Sequence, residues 1–216
     1  MNDPMPHGCR AEKRRQSLLE AATTLFLDKG FERTSVADIV GLAGGSRSTL
    51  YELFGNKEGL LRAMVEEETL AIRATIGPAE LALEFSEDGL VELAGRFVRA
   101  ILAPRAVAVF RILATEGERL PDIAAAFFES GPRAIERQLA ERFRRALPQL
   151  RVDAGAEQLV QVFLGAMIGS FHPRHLLGLR QAPLVCGIDD HVRLAVRIFL
   201  YGILPPQSSV DTAISR

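Results

Sequence analysis

Helical periodicity runs through the chain. Between Glu12 and Lys29 the apolar side chains Leu18, Leu19, Ala22, Leu25 and Phe26 fall at i, i+1, i+4, i+7 and i+8. That spacing makes the buried stripe of an amphipathic helix. Gly30 follows where a left-handed C-cap is wanted. Ser35 and Asp38 have capping-box spacing and open a second, short helix ending near Gly41 to Ala43. Gly44-Gly45 makes a turn, and Ser46 can cap a third helix running to about Phe54. After Gly55, Asn56 can cap a fourth helix, from Lys57 to about Ile76.

Further on, Gly77-Pro78 ends or interrupts that helix. Ser86-Glu87-Asp88 reads as a cap with an acidic first turn, opening a helix toward Leu102. Pro104 separates it from a helix over about 105–116. Pro121-Asp122 starts a segment reaching about Ala146, in which Gly131-Pro132 forces a kink or restart. Two longer helices follow, about 154–171 and about 189–204. Between them lies a Pro-, Gly- and His-rich stretch, read as loop or irregular helix. The end of the sequence, 205–216, reads as a frayed tail. No alternating strand or repeat appears. The expected fold is all-α, with about nine helices.

Composition changes this picture little. In 216 residues, 48% are hydrophobic and 25% charged, and the formal net charge is -1. Those values are ordinary for a globular chain and exclude a polybasic tail protein or an acidic disordered one. The segment 1–20 lacks a signal-peptide core, and no apolar run approaches the roughly 20 residues that span a bilayer. Cys9 and Cys186 have no metal-like spacing, and a reducing cytoplasm fits them. A soluble, cytoplasmic protein without membrane association is expected.

Three short helices in the first 55 residues fit a helix-turn-helix, whose last helix enters the major groove. A short turn containing Gly, here Ala43-Gly44-Gly45-Ser46, is the usual joint. Leu50 and Phe54 stand at i, i+4 and can face inward. Arg47, Ser48, Thr49, Tyr51 and Glu52 are left outside or at the edges. Arg47 can donate to guanine O6/N7 or to a phosphate, Glu52 can accept from cytosine N4, and Tyr51 can donate to a phosphate.

These residues carry a family likeness. Ala21-Ala22, Leu25-Phe26, Gly30-Phe31, Thr34-Ser35, Ile39, Ala43-Gly44, Ser46, Thr49-Leu50-Tyr51, Phe54, Lys57-Glu58 and Leu60-Leu61 resemble, in order and spacing, the N-terminal domain of TetR-type regulators. Farther on, Arg111-Ile112-Leu113, Glu116, Pro121, Ala124 to Phe128, Gly131-Pro132 and Phe163-Leu164-Gly165 are similar to the C-terminal domain of the AefR-like branch. The resemblance implies that Thr34 and Ser35 contact phosphate. Ser46, Arg47, Ser48 and Thr49 take the base- and backbone-reading start of the recognition helix, and Tyr51 and Lys57 anchor phosphates. Gly45 replaces a usual branched apolar residue, Ser48 stands where Gly is frequent, and Leu53 replaces a usual aromatic or His.

The resemblance also implies domains: a flexible start at 1–9, a helix-turn-helix DNA-binding domain at 10–56, and a helical bundle for ligand binding and dimerisation at 57–204. The partners would be double-stranded operator DNA, near-palindromic in sequence, and a second copy of the chain. The helices at about 154–171 and 189–204 would form the homodimer, with Gly165 and Gly169 allowing close approach. A small, largely apolar effector would bind among Phe97, Phe110, Arg111, Phe127, Phe128, Phe163, Met167, Phe171, His172 and His175. It would tilt the fourth helix and release the DNA, as repressors of this family do; activator remains the alternative.

Other classes lack their chemistry here. An enzyme would need a nucleophile–base or metal constellation, and the sequence offers none. His172 and His175 are i, i+3 with Pro173 between them and no acidic or Cys neighbour, so no metal and no cofactor is expected. A helical adaptor that merely kept the motif would have no use for Arg47 and Tyr51.

Overall fold

The computed structural model describes residues 7–77, 85–146, 148, 153–169, 171–179 and 186–203. Expectations placed on 205–216 and on the first six residues lie outside the described residues. Among the described residues all regular structure is helical. The helices are α1 (His7–Lys29), α2 (Val36–Ala43), α3 (Arg47–Phe54), α4 (Lys57–Ala74), α5 (Glu87–Ile101), α6 (Pro104–Glu116), α7 (Pro121–Ser130), α8 (Pro132–Ala146), α9 (Ala156–Ile168), α10 (Phe171–Leu176) and α11 (Ile188–Ile203).

Among the described residues the nine expected helices become eleven through two local breaks. Gly131-Pro132 divides one long segment into α7 and α8. Proline fits the first helical position, where its missing N–H would be unbonded in any case, and α6, α7 and α8 all begin on one. The second break is at Gly169, whose φ of 49° ends α9. Phe171 therefore opens α10 instead of closing α9. Pro173 sits in the first turn of α10, which tolerates it, so His172 and His175 are helical after all. At the other end of the chain, residues 7–9, expected to be flexible, form the first turn of α1.

The chain divides into two compact units. One comprises residues up to Leu70 with Ala108–Phe127; the other comprises Ala71–Val107 and the residues from Phe128 onward. In the first unit, Leu18, Leu19, Ala22, Leu25 and Phe26 of α1 pack with Ile39, Leu50, Leu60, Leu61 and Met64. The predicted stripe of α1 is thus the core of this unit. Val109, Ile112, Leu113 and Ile123 join the same core. In the second unit α5 buries Leu90, Leu93, Ala94, Phe97 and Val98, the helical stripe that follows its Ser86 cap. Its core centres on Phe143, Phe163 and Phe199, whose ring centroids lie 5.3–5.8 Å apart.

Candidate nucleic-acid interface

Eight-residue helices such as α2 and α3 are too short to persist alone. Their ends and buried faces fix them. Ser35 Oγ accepts from the Asp38 backbone N–H at 3.1 Å, while Asp38 Oδ2 accepts from the Ser35 backbone N–H at 2.9 Å. The Ser35 backbone N–H, and then the Ser35 hydroxyl donating to Asp38 Oδ2 at 2.8 Å, hold the Asp38 carboxyl below the usual carboxylate range. Ser46 Oγ accepts from the Thr49 backbone N–H at 3.1 Å and opens α3. Leu50 is fully buried, and Phe54 is half-buried against the core.

The opposite face of α3 is open. Arg47, Ser48, Tyr51 and Glu52 are exposed, and Thr49 is half-buried with its hydroxyl 2.9 Å from Ser46 Oγ. Tyr51 is 51% exposed, so it is no core aromatic. This face offers a guanidinium, two hydroxyls and a carboxylate to a groove, the donor and acceptor types that read base edges and phosphates.

Helix α1 fastens the turn before α3. Arg14 donates from a guanidinium nitrogen to Gly44 O at 3.0 Å, and Ser17 Oγ donates to Ala43 O at 3.3 Å. Gly44 and Gly45 have φ of 72° and 102°, where side chains are strained. A Cβ on Gly45 would also lie 3.0 Å from the Arg14 guanidinium. Gly45 departs from the family pattern, and Arg14 occupies the space that the usual branched side chain would need. Next to it, the Arg15 guanidinium lies 5.4 Å from the centroid of the Phe54 ring. The sequence alone did not reveal this arrangement; the glycine at 45 was its only signal.

Two expected phosphate contacts have partners within the protein. Thr34 is 1% exposed, and its hydroxyl lies 2.8 Å from Gly30 O and 3.2 Å from Leu25 O. The Thr34 side chain is therefore a structural tie and not a phosphate ligand, because a buried hydroxyl bonded to carbonyls cannot reach solvent. Lys57 differs. Its ammonium donates to Phe31 O at 3.0 Å and Glu32 O at 3.4 Å and stands 4.3 Å from the Phe31 ring centroid. An ammonium has three donors, so one N–H remains for an anion at the start of α4.

The ten residues named for an effector fall in both compact units. Phe110, Arg111 and Phe127 belong to the first unit; Phe110 and Phe127 meet edge to face at 5.9 Å. Arg111 lines a cavity of about 410 Å³ with Phe26, Phe31, Glu32, Ile112 and Glu116. In the second unit Phe97, Phe163, Met167 and Phe171 are core, sealed among apolar neighbours. Phe128 is half exposed on the wall of a separate cavity of about 660 Å³, lined mainly by Arg133, Glu136, Arg137, Arg144 and Glu157. His172 and His175 lie on α10, where burial first, and then the charge of His175, lowers the His172 pKa. His175 Nδ1 is 2.8 Å from Phe171 O. Among the described residues, no group of three His, Cys, Asp or Glu is placed to hold a metal ion.

A short-turned helix pair with one sealed and one polar face defines a DNA-binding regulator. The family models agree. Residues 18–64 match bacterial regulatory proteins of the tetR family, and residues 88–202 match the C-terminal domain of AefR-like transcriptional repressors. The chain belongs to the TetR family of transcriptional regulators, in its AefR-like branch. Members of this family are DNA-binding regulators, not enzymes, and act as dimers.

Among curated relatives, the transcriptional repressor ComR of Escherichia coli is 46% identical over 52 residues, 24% of this chain and 25% of its own length. The repressor AcnR of Corynebacterium glutamicum is 33% identical over 86 residues, 40% of this chain and 41% of its length. The chain thus spans from a quarter to two fifths of these relatives. Among solved structures, a TetR-family regulator of Mesorhizobium loti shares the fold at a TM-score of 0.79 and 20% identity, covering 91% of this chain and 99% of that one. The flavonoid-responsive regulator FrrA aligns at a TM-score of 0.72 and 28% identity, covering 91% and 100%. No helix among the described residues is long and apolar enough to cross a membrane.

Proposed function

We propose that this regulator is a ligand-responsive repressor that binds a near-palindromic operator as a homodimer in the cytoplasm and leaves it when a small, largely apolar effector binds. The observation that carries the DNA reading is the outward face of α3: Arg47, Ser48, Tyr51 and Glu52 stand exposed on a helix whose Leu50 is sealed. Arg47 pairs with a guanine edge or a phosphate, Glu52 accepts from cytosine N4, and Ser48 leaves room for close approach. Ser35, Tyr51 and Lys57 hold the flanking phosphates.

One recognition helix reads too few base pairs for useful specificity, so the reading requires two, related by a twofold axis. On α11, Leu194, Ile198 and Tyr201 form an exposed apolar stripe at i, i+4, i+7, and Ile198 is 66% exposed. On α9, Val162 is exposed, and open space surrounds the missing side chain of Gly165. Exposed apolar side chains on both helices support pairing of α9 and α11 with their symmetry mates. The effector part is supported by FrrA, described as flavonoid-responsive. Its thermodynamic requirement is tighter effector binding to one spacing of the two recognition helices than to the other.

A gel shift with duplexes selected by the protein from a random pool, and with the DNA upstream of its own gene, tests the reading. The wild-type chain retards a recurring near-palindrome as a dimer. The variant Tyr51→Ala with Lys57→Ala loses most of that affinity; retention of full affinity would sink the assignment of these residues.

A further inference from the structure

Arg119 belongs to no motif, yet it stands in one cluster with the Lys57 anchor. Its guanidinium pairs with Glu32 at 2.5 Å and with Glu116 at 3.0 Å. It also lies 5.5 Å from the centroid of the Phe31 ring. Lys57 reaches the same two residues from the start of α4, through the Phe31 ring and the carbonyls of Phe31 and Glu32. Phe31 itself is buried and packs on Phe26 at 5.0 Å. The Phe31 ring and Glu32 are therefore shared by two cations: Arg119 pairs with the Glu32 carboxylate, and Lys57 donates to the Glu32 carbonyl.

The charges give this arrangement a direction. Glu32 is an acid within the loop that tethers Lys57, and its own carbonyl accepts from the ammonium. Left alone, its carboxylate would compete with a phosphate for the remaining Lys57 N–H. Arg119 occupies that carboxylate. We infer that Arg119 is a positioning residue for DNA binding: by neutralising Glu32 and packing on Phe31, it reserves the Lys57 ammonium for a backbone phosphate. Arg119 lies in the segment just after α6, outside the helix-turn-helix. Operator affinity is thereby set partly by a residue that touches no DNA. The inference rests on the reading of Lys57 as a phosphate anchor.

The test uses the full-length chain, a duplex selected in vitro by the wild-type protein, and dissociation constants measured over a range of salt. Arg119→Ala should weaken binding by about fivefold or more, the lower end of ordinary coupling between sites. It should also lower the salt slope by about 0.9 per protomer, the signature of one lost phosphate contact. Adding Glu32→Gln to Arg119→Ala should restore both, since the competing carboxylate is gone. In a Lys57→Ala background Arg119→Ala should have no further effect. Arg119→Lys keeps the ion pair and should bind nearly as wild type, which guards against a folding defect in the alanine variant. Unchanged affinity in Arg119→Ala, no rescue by Glu32→Gln, or additive losses with Lys57→Ala would each overturn the inference. If Lys57→Ala alone binds with full affinity and an unchanged slope, the anchor reading itself fails; that result is separate from the others.

Discussion

The two compact units are held together by different means. In the first, two eight-residue helices are fixed by polar contacts as well as by the buried Ile39 and Leu50: the Ser35–Asp38 box, the Ser46 cap, Arg14 on Gly44 and Lys57 on the loop at Phe31. In the second, helices of 13 to 16 residues close on three aromatic rings. Apolar packing is non-directional and tolerates many sequences of the right volume. Hydrogen bonds at caps and turns require particular groups at particular positions. In the proposed function, reading DNA needs such fixed geometry, whereas answering an effector needs volume that can vary.

The largest expected effect tests the second unit. Phe163→Ala removes a fully buried ring and should cost about 3–5 kcal/mol of stability, measured by denaturant unfolding. A loss under about 1 kcal/mol would mean that the ring faces an adaptable cavity instead of a packed core. The first unit answers to a different measurement. Arg47→Ala should leave the melting temperature within a degree or two, yet cost about 1–3 kcal/mol of operator affinity and relax preference at one base pair. Uniform weakening across all sequences would reassign Arg47 to a phosphate.

Thr34→Val sharpens the comparison inside the first unit. It deletes a buried hydroxyl bonded to carbonyls and should destabilise by about 1–2 kcal/mol, while the salt slope of DNA binding stays unchanged. A lower slope with full stability would return Thr34 to the phosphate contacts. The smallest effect is a pH dependence. Asp38 has its carboxyl pKa lowered by the Ser35 backbone and side-chain bonds. Its contribution is therefore present above the ordinary carboxylate pKa and is lost as pH falls through the lowered one. Acid unfolding of Asp38→Asn should accordingly be less steep than that of the wild type; identical profiles would show the box to be without weight.

Much of the reading head was legible because its determinants are local. Cap residues, turn glycines and a 3.6-residue stripe act within a few positions, so Ser35, Ser46, Asn56 and Leu50 could be placed from their neighbours. Asn56 Oδ1 indeed accepts from the Gly59 backbone N–H at 2.8 Å. Thr34 is different: its phosphate contact is implied only by the family resemblance, and only the fold brings Leu25 O within reach of its hydroxyl. The residues expected around an effector are mostly aromatic, and aromatics at helical spacing look alike whether they line a cavity or fill a core.

The sequence by itself determined the helical class, the order of the helices, the breaks at Pro and Gly, and the side chains that α3 turns outward. These follow from steric preferences and hydrogen bonds between near neighbours. Only the tertiary structure decided that Arg14 fills the space above Gly45, that Thr34 is sealed, and that Arg119 meets Glu32 and Phe31 beside Lys57. The Arg14 and Arg119 contacts join residues tens of positions apart. Their partners are chosen by how the core of Leu18, Ile39, Leu50 and Ile112 packs, which no local pattern encodes.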